Sequence, residues 1–306
     1  MANNSLQKIR RKFRDFAGNF CKGLSRSLAM LVGRLDHLPA SEKEIHMLSC
    51  GKRLLDCLLA YQSFCIHSGR RHPLVIHDDG SILKSDFERL RNLVPDARLV
   101  SRAEADSHMS QWLSFYPNCA QFRQDGIFFL KLFDFFAFAK SDAFIVLDND
   151  ILFFDRPSEV VRWVSTTADK LLFNSEHAES FAFPIEKLAD MGFRPSFALL
   201  NAGFGLVHRD VLNLELCERF LRKCRDNLNS IRKVHLLEQT SWAVLLEESP
   251  RPVELLPPTY EISNEVFRSS GTLMRHYTGF TKHDIMYVEA LLSFPKLFFR
   301  NLAQYN

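Results

Sequence analysis

Residues Ala143–Leu147 are apolar at every position, and the run stops abruptly at Asp148-Asn149-Asp150. A strand with no polar face must be covered on both sides, as in the middle of a parallel sheet. The surrounding chain supplies the cover. Glu44–Ser49 reads as a short apolar strand, and Gly51 opens a helix running to about Ser68. Pro73–His77 reads as a second strand, ending at the turn Asp78-Asp79-Gly80-Ser81. A helix near Asp86–Asn92, a strand at Ala97–Val100 and a helix over residues 126–140 complete the alternation. Strand–helix units of this length require right-handed crossovers, so the fold expected is α/β with a doubly wound, mostly parallel sheet. Such sheets bind their ligands outside the carboxyl ends of the strands.

The chain divides at Leu38-Pro39-Ala40-Ser41 into a helical leader, residues 1–37, and one α/β domain, residues 38–306. Over residues 6–35, Leu6, Ile9, Phe13, Phe16, Phe20, Leu24, Leu28, Leu31 and Leu35 recur at three- and four-residue steps. Residues 1–36 hold eight Lys or Arg against two Asp, leaving 31 basic and 34 acidic residues in 37–306. The basic excess therefore belongs to the leader, and the body offers no footprint for nucleic acid. Two readings of the leader stand open: a basic amphipathic helix on an anionic membrane surface, or one packed on the body or a partner chain. A hydrophobic ending around Phe294–Phe299 would either extend the membrane contact or pack into the core. The absence of an h-region with a cleavage site and of a long apolar run makes the cytoplasm the expected location, and the membrane reading of residues 6–35 would place the protein peripherally on the inner face. The seven cysteines form no C-x-x-C pair and are expected as buried free thiols in a reducing compartment.

Two acidic clusters fall at strand ends. A buried strand that ends in D-x-D offers two carboxylates to one pocket, and two hard oxygen ligands suit Mg²⁺ or Mn²⁺ beside a diphosphate. On its own, His77-Asp78-Asp79-Gly80-Ser81 is equally a turn with a capping serine. The histidines show no H-E-x-x-H spacing, so no zinc site is expected.

Taken in order, these motifs resemble those of nucleotide-sugar glycosyltransferases of the GT-A fold, over nearly all of residues 43–290. Asp78-Asp79-Gly80-Ser81 is similar to the D-D-G-S turn of many such enzymes, in which one acid contacts the uracil of a UDP-sugar. Lys131 followed by Asp148-Asn149-Asp150 is similar to the Lys-helix-strand-DxD block. Asn201-Ala202-Gly203-Phe204 resembles the N-x-G-F segment lining the donor-sugar pocket, and Glu238-Gln239-Thr240 the helix start near the transferred sugar. His276-Tyr277-Thr278-Gly279-Phe280-Thr281-Lys282 resembles the H-x-x-G-x-x-K pattern of the glycogenin-like family 8 enzymes, with His283-Asp284 where that pattern continues Pro-Trp. The D-D-G-S turn is closer to the inverting family 2 enzymes, so the resemblance implies no stereochemical outcome.

What it does imply is a metal-dependent transfer from a nucleotide sugar, UDP-linked, to a glycan, glycolipid or other hydroxyl acceptor, with Mn²⁺ or Mg²⁺ as cofactor. Asp148, Asp150 and His276 would be the metal ligands. Ser49, Asp78, Asp79, Arg123, Lys131, Asn149, Asn201, Gly203, Gly279 and Lys282 would bind the nucleotide and donor. Glu238 and Gln239 would serve the reaction itself, Glu238 as general base if the mechanism inverts. The alternatives are a catalytically inactive transferase-like adaptor and a haloacid-dehalogenase-like phosphatase. The latter places its D-x-D early, with a further acidic pair after it, whereas here the pair precedes it.

Overall fold

Two sheets carry the molecule, and each reflects which strands can be hidden on both faces. In chain order the elements are helix α1 (residues 18–32), β1 (Ile45–Ser49), α2 (Leu54–Ser68), β2 (Leu74–Asp78), α3 (Lys84–Leu93), β3 (Arg98–Val100), α4 (Arg102–Trp112), α5 (Pro117–Asp125), α6 (Phe129–Phe138), β4 (Ala143–Leu147), β5 (Ile151–Phe153), α7 (Ser158–Val164), β6 (Leu171–Ser175), α8 (Ile185–Asp190), β7 (Leu200–His208), α9 (Leu214–Asp226), α10 (Leu237–Glu247), β8 (Val253–Leu255), β9 (Tyr260–Ile262), β10 (Met274–His276) and α11 (His283–Ala303). This computed structural model describes residues 18–166, 169–263, 265, 268–278 and 283–304.

The main sheet has seven strands in the order β3-β2-β1-β4-β7-β6-β8. β3, β2, β1 and β4 run parallel, with Ile45 opposite both Leu74 and Ile145. β7 runs antiparallel to β4 and to β6. The sheet is thus mostly parallel, as the apolar strands demand, with one long reversed strand inserted beside β4.

β4 shows why its sequence has no polar face. Ile145 and Leu147 pack with Ile45, Met47 and Leu74 against α2, whereas Phe144 and Val146 join Phe133, Phe136 and Trp242 on the other side. Each face is a separate apolar core, and helices close both. Much of the phenylalanine content is spent here: Phe136 meets Phe144 edge to face at 5.2 Å, and Phe153 meets Phe204 likewise at 5.4 Å. All seven cysteines are unpaired, five of them buried.

The second sheet is small but positions the site. β5 begins immediately after the D-N-D turn and pairs antiparallel with β10, which places His276 opposite Ile151. The Tyr277 N–H donates to the Asp150 carbonyl at 2.9 Å and closes the junction.

The helix expected over residues 6–35 is described over 18–32 and packs on the body through a mixed face. Ser25, Ala29 and Val32 are buried against the body, whereas Phe20, Leu24 and Leu31 from the apolar stripe are exposed.

Candidate active site

The carboxyl ends of β1 and β4, the start of β7, the end of β10 and the first turn of α10 converge on one cleft of about 820 Å³. Asp148 leaves β4 with its N–H bonded to the Gly203 carbonyl at 2.8 Å, so β7 holds the first carboxylate in place. Asn149 is pinned between strands: its Nδ2 donates to the Leu48 carbonyl at 3.2 Å, and its Oδ1 accepts from Arg53 at 2.8 Å. The flanking side chains of the turn, Asp148 and Asp150, face the cleft with His276.

Ligand atoms of Asp148, Asp150 and His276 lie within 4.8 Å of one another. His276 Nε2 is 3.2 Å from an Asp150 oxygen and 4.0 Å from one of Asp148. The ring's other nitrogen is committed. Asn201 Nδ2 donates to Glu176 at 2.7 Å, which fixes the amide so that Oδ1 faces the Gly203 N–H and His276 Nδ1, both at 3.0 Å. Nδ1 therefore carries the donated proton and Nε2 is left to point at the carboxylates. Gly203 makes this packing possible: a Cβ there would lie 2.3 Å from His276 Cε1. Two carboxylates and an imidazole with an oriented second nitrogen fit a hard divalent cation such as Mn²⁺ or Mg²⁺.

The electrostatics follow from the crowding of acids. Burial alone would lower the His276 pKa, but the Asp150 and Asp148 carboxylates outweigh it and raise it. Burial pushes the Asp148 carboxyl up against the opposing pull of Lys131. Lys131 is buried, with Nζ 3.0 Å from Asp148 and 3.9 Å from Glu238, and these acids raise its pKa despite desolvation. Burial lifts Glu238 to about 7, although the Lys131 charge opposes the shift. A Glu238 oxygen accepts the Trp242 indole N–H at 2.7 Å. Gln239 braces the cleft floor, accepting from the Ala202 N–H at 3.2 Å and donating to the Ser180 carbonyl at 2.8 Å.

The cleft brings together Ser49, Asp79, Lys131, Asp148, Asn149, Asp150, Asn201, Gly203, Glu238, Gln239 and His276 from the expected set. Two expectations need correction. Arg123 does not line the cleft; its guanidinium is buried, bonded twice to Asp134 at 2.6 and 2.8 Å and once to Asp106 at 2.8 Å. Asp78 is also absent from the lining, because its Oδ1 accepts the N–H groups of Gly80, Ser81 and Ile82 and so holds the turn. Gly279 and Lys282 lie outside the described residues. The cleft also includes Arg53, Glu176, Lys233, His235 and Thr278, none of which the sequence motifs singled out. Arg53 and Glu176 follow the ends of β1 and β6, so the rule that ligands sit beyond strand ends could have found them.

With this geometry in view, comparison with solved structures is decisive for the fold. Mouse xyloside xylosyltransferase 1, in its apo form, superimposes with a TM-score of 0.52 at 13% identity, covering 78% of this chain and 97% of that one. The galactosyltransferase LgtC, in complex with donor and acceptor sugar analogs, gives 0.50 at 12% identity, covering 83% and 95%. The apo structure of the bifunctional glycosyltransferase WbbM gives 0.51 at 12% identity over 82% of this chain, which spans half of that protein's length. The chain has the fold of the GT-A glycosyltransferases. No protein-family model and no curated protein matches it in sequence, so the likeness is one of fold.

Proposed function

We propose that this protein is a metal-dependent glycosyltransferase that moves a sugar from a UDP-linked donor to a hydroxyl of a glycan or glycolipid. The observation that carries the reading is the convergence of Asp148, Asp150 and His276 within 4.8 Å, in the cleft that also holds Lys131 and Glu238. The fold is shared with a xylosyltransferase and a galactosyltransferase, which points to sugar transfer rather than to hydrolysis of a phosphate ester.

Asp148, Asp150 and His276 would hold a divalent cation, which would supply Lewis-acid neutralisation of the departing diphosphate. The chain's own groups do the remainder. Lys131, fixed beside Asp148, directs a permanent positive charge at the same oxygens without reorganising. Asp79, at the mouth beside Ser49, accepts the imide N–H of a uracil ring. Arg53 holds the D-N-D turn through Asn149, and Gln239 fixes the backbone at Ala202 under the sugar. Glu238, with a pKa of about 7, is poised to take the proton of the acceptor hydroxyl near neutral pH.

The test is UDP release from UDP-glucose, UDP-galactose, UDP-N-acetylglucosamine and UDP-xylose by the full chain, with Mn²⁺ and with EDTA. At least one donor is expected to yield UDP with metal, and none with EDTA or in His276→Ala. Release that persists in EDTA, or no release from any of these donors nor from GDP- and CDP-sugars, would contradict the reading.

A further inference from the structure

Helices α1 and α11 form a second surface, remote in chemistry from the cleft. They are packed together: a Cβ on Gly18 would meet Asp284 Oδ1 at 2.6 Å, and Asn301 donates to the Val32 carbonyl at 3.3 Å. α1 is tied to the body by polar contacts on its inner face. Arg26 bonds both oxygens of buried Asp56 at 2.9 and 3.0 Å, and Gln62 donates to the Gly33 carbonyl at 3.1 Å. Part of the apolar stripe is left outside, although Leu28 is half-buried and Leu35, just past the helix, is in the core. Phe20 is 62% exposed and Leu31 66%, while α11 adds Leu292 at 72% and Phe299 at 67%. With Leu24 and Leu302 among them, eight of the sixteen exposed large hydrophobic side chains of the described residues belong to these two helices. A cavity of about 180 Å³ has Leu28 of α1 and Leu292 of α11 among its walls.

A packed helix normally buries its large apolar residues and exposes its small and polar ones. Here Phe20, Leu24, Met30 and Leu31 of α1 stay exposed while Ser25 and Ala29 are buried, and an apolar patch of this kind signals a partner. Charge decides which. Residues 1–36 carry a balance of +6, five of the basic residues falling within 8–14, and no acidic residue occurs after Glu289. A basic stretch that runs in sequence directly into a helix with exposed Phe and Leu suits an anionic lipid surface, which offers apolar depth and opposite charge at once.

We infer that α1 and α11 together form an interfacial docking face that inserts its Phe and Leu side chains into an anionic membrane surface. The face stands on different residues from the cleft and does not depend on the transfer reading.

Flotation of the full chain with phosphatidylcholine vesicles, with and without phosphatidylglycerol, tests it. The wild type is expected to float with the anionic vesicles and to remain unbound with the neutral ones. Leu292→Glu/Phe299→Glu and, separately, Phe20→Glu/Leu31→Glu should each lower the partition coefficient by about tenfold or more at an unchanged melting temperature. All four positions are exposed, so folding is preserved. The inference is overturned if the wild type fails to float with anionic vesicles, or if the α11 variant floats like the wild type. It is also overturned if sedimentation equilibrium shows a dimer that both variants dissolve, because the face would then belong to a second copy.

Discussion

Two clusters of carboxylate and histidine, one within the main sheet and one where the two sheets meet, behave in opposite ways. Glu44, His46 and His77 lie across β1 and β2: His46 Nδ1 is 2.9 Å from His77 Nε2, and its Nε2 is 3.4 Å from Glu44. Asp148, Asp150 and His276 lie at the far ends of β4 and β10. In the first cluster, chain donors saturate the single carboxylate: Lys140 N–H gives 2.6 Å and Arg98 gives 3.3 Å. Burial would raise the Glu44 pKa, yet His46 and these donors hold it at about 2. Burial keeps both histidines neutral, lowering His46 and taking His77 well below its usual value. In the second cluster the carboxylates prevail, and the histidine pKa moves up instead. The same residue types thus make a closed structural knot where donors match acceptors, and a cation site where acceptors crowd one point at a strand end.

The contrast can be broken by mutation. Asp150→Ala should reduce transfer by about 10³-fold or more, since losing charge neutralisation at the leaving group is worth several kcal/mol. Its melting temperature should stay near that of the wild type; a large drop would mean that this cluster, like the first, is structural. Glu238→Gln should lower kcat by at least about 10²-fold while leaving metal-dependent UDP affinity unchanged. Because Glu238 is protonated below about 7, the wild-type rate should rise with pH through that value, and the rise should vanish in the variant. Asn201→Ala removes the acceptor that orients His276, and Mn²⁺ affinity measured by electron paramagnetic resonance should fall about 10- to 100-fold. An unchanged affinity would show that packing beside Gly203 alone holds the ring.

Glu44→Gln sharpens the other side. It should cost about 1–3 kcal/mol of folding stability at pH 7 in urea titration and leave UDP binding intact. The sign follows from the depressed pKa: the carboxylate's contribution is fully present above about 4.5 and is lost as pH falls through about 2. The deficit of the variant should therefore shrink across that window. A deficit that is constant with pH would remove the ionised carboxylate from the explanation.

The strand–helix alternation was legible in the sequence because β1, β2 and β4 are short apolar runs closed by turn residues. The D-x-D and the asparagine, glutamate and histidine segments were legible because each follows or opens an element. Pairing was not. Arg123 looked available as a cation, and only the structure shows Asp106 and Asp134 folded around it. Asp78 and Asp79 are adjacent and chemically alike and both brace the turn, Asp79 through Ser81, yet only Asp79 also lines the cleft. Glu176 carries no motif, and its importance comes from reaching across to Asn201. The leader's periodicity identified an apolar stripe, but periodicity does not say whether the stripe or the small-residue face meets the body.

Calorimetric titration of UDP into the protein, with Mn²⁺ and then with EDTA, beside Asp150→Ala, bears most directly on the central claim. Saturable binding that requires the metal and disappears in the variant is the predicted result. Binding of equal strength in EDTA, or in Asp150→Ala with Mn²⁺ present, would contradict the assignment of Asp148, Asp150 and His276 as the site that holds the donor's diphosphate through a cation.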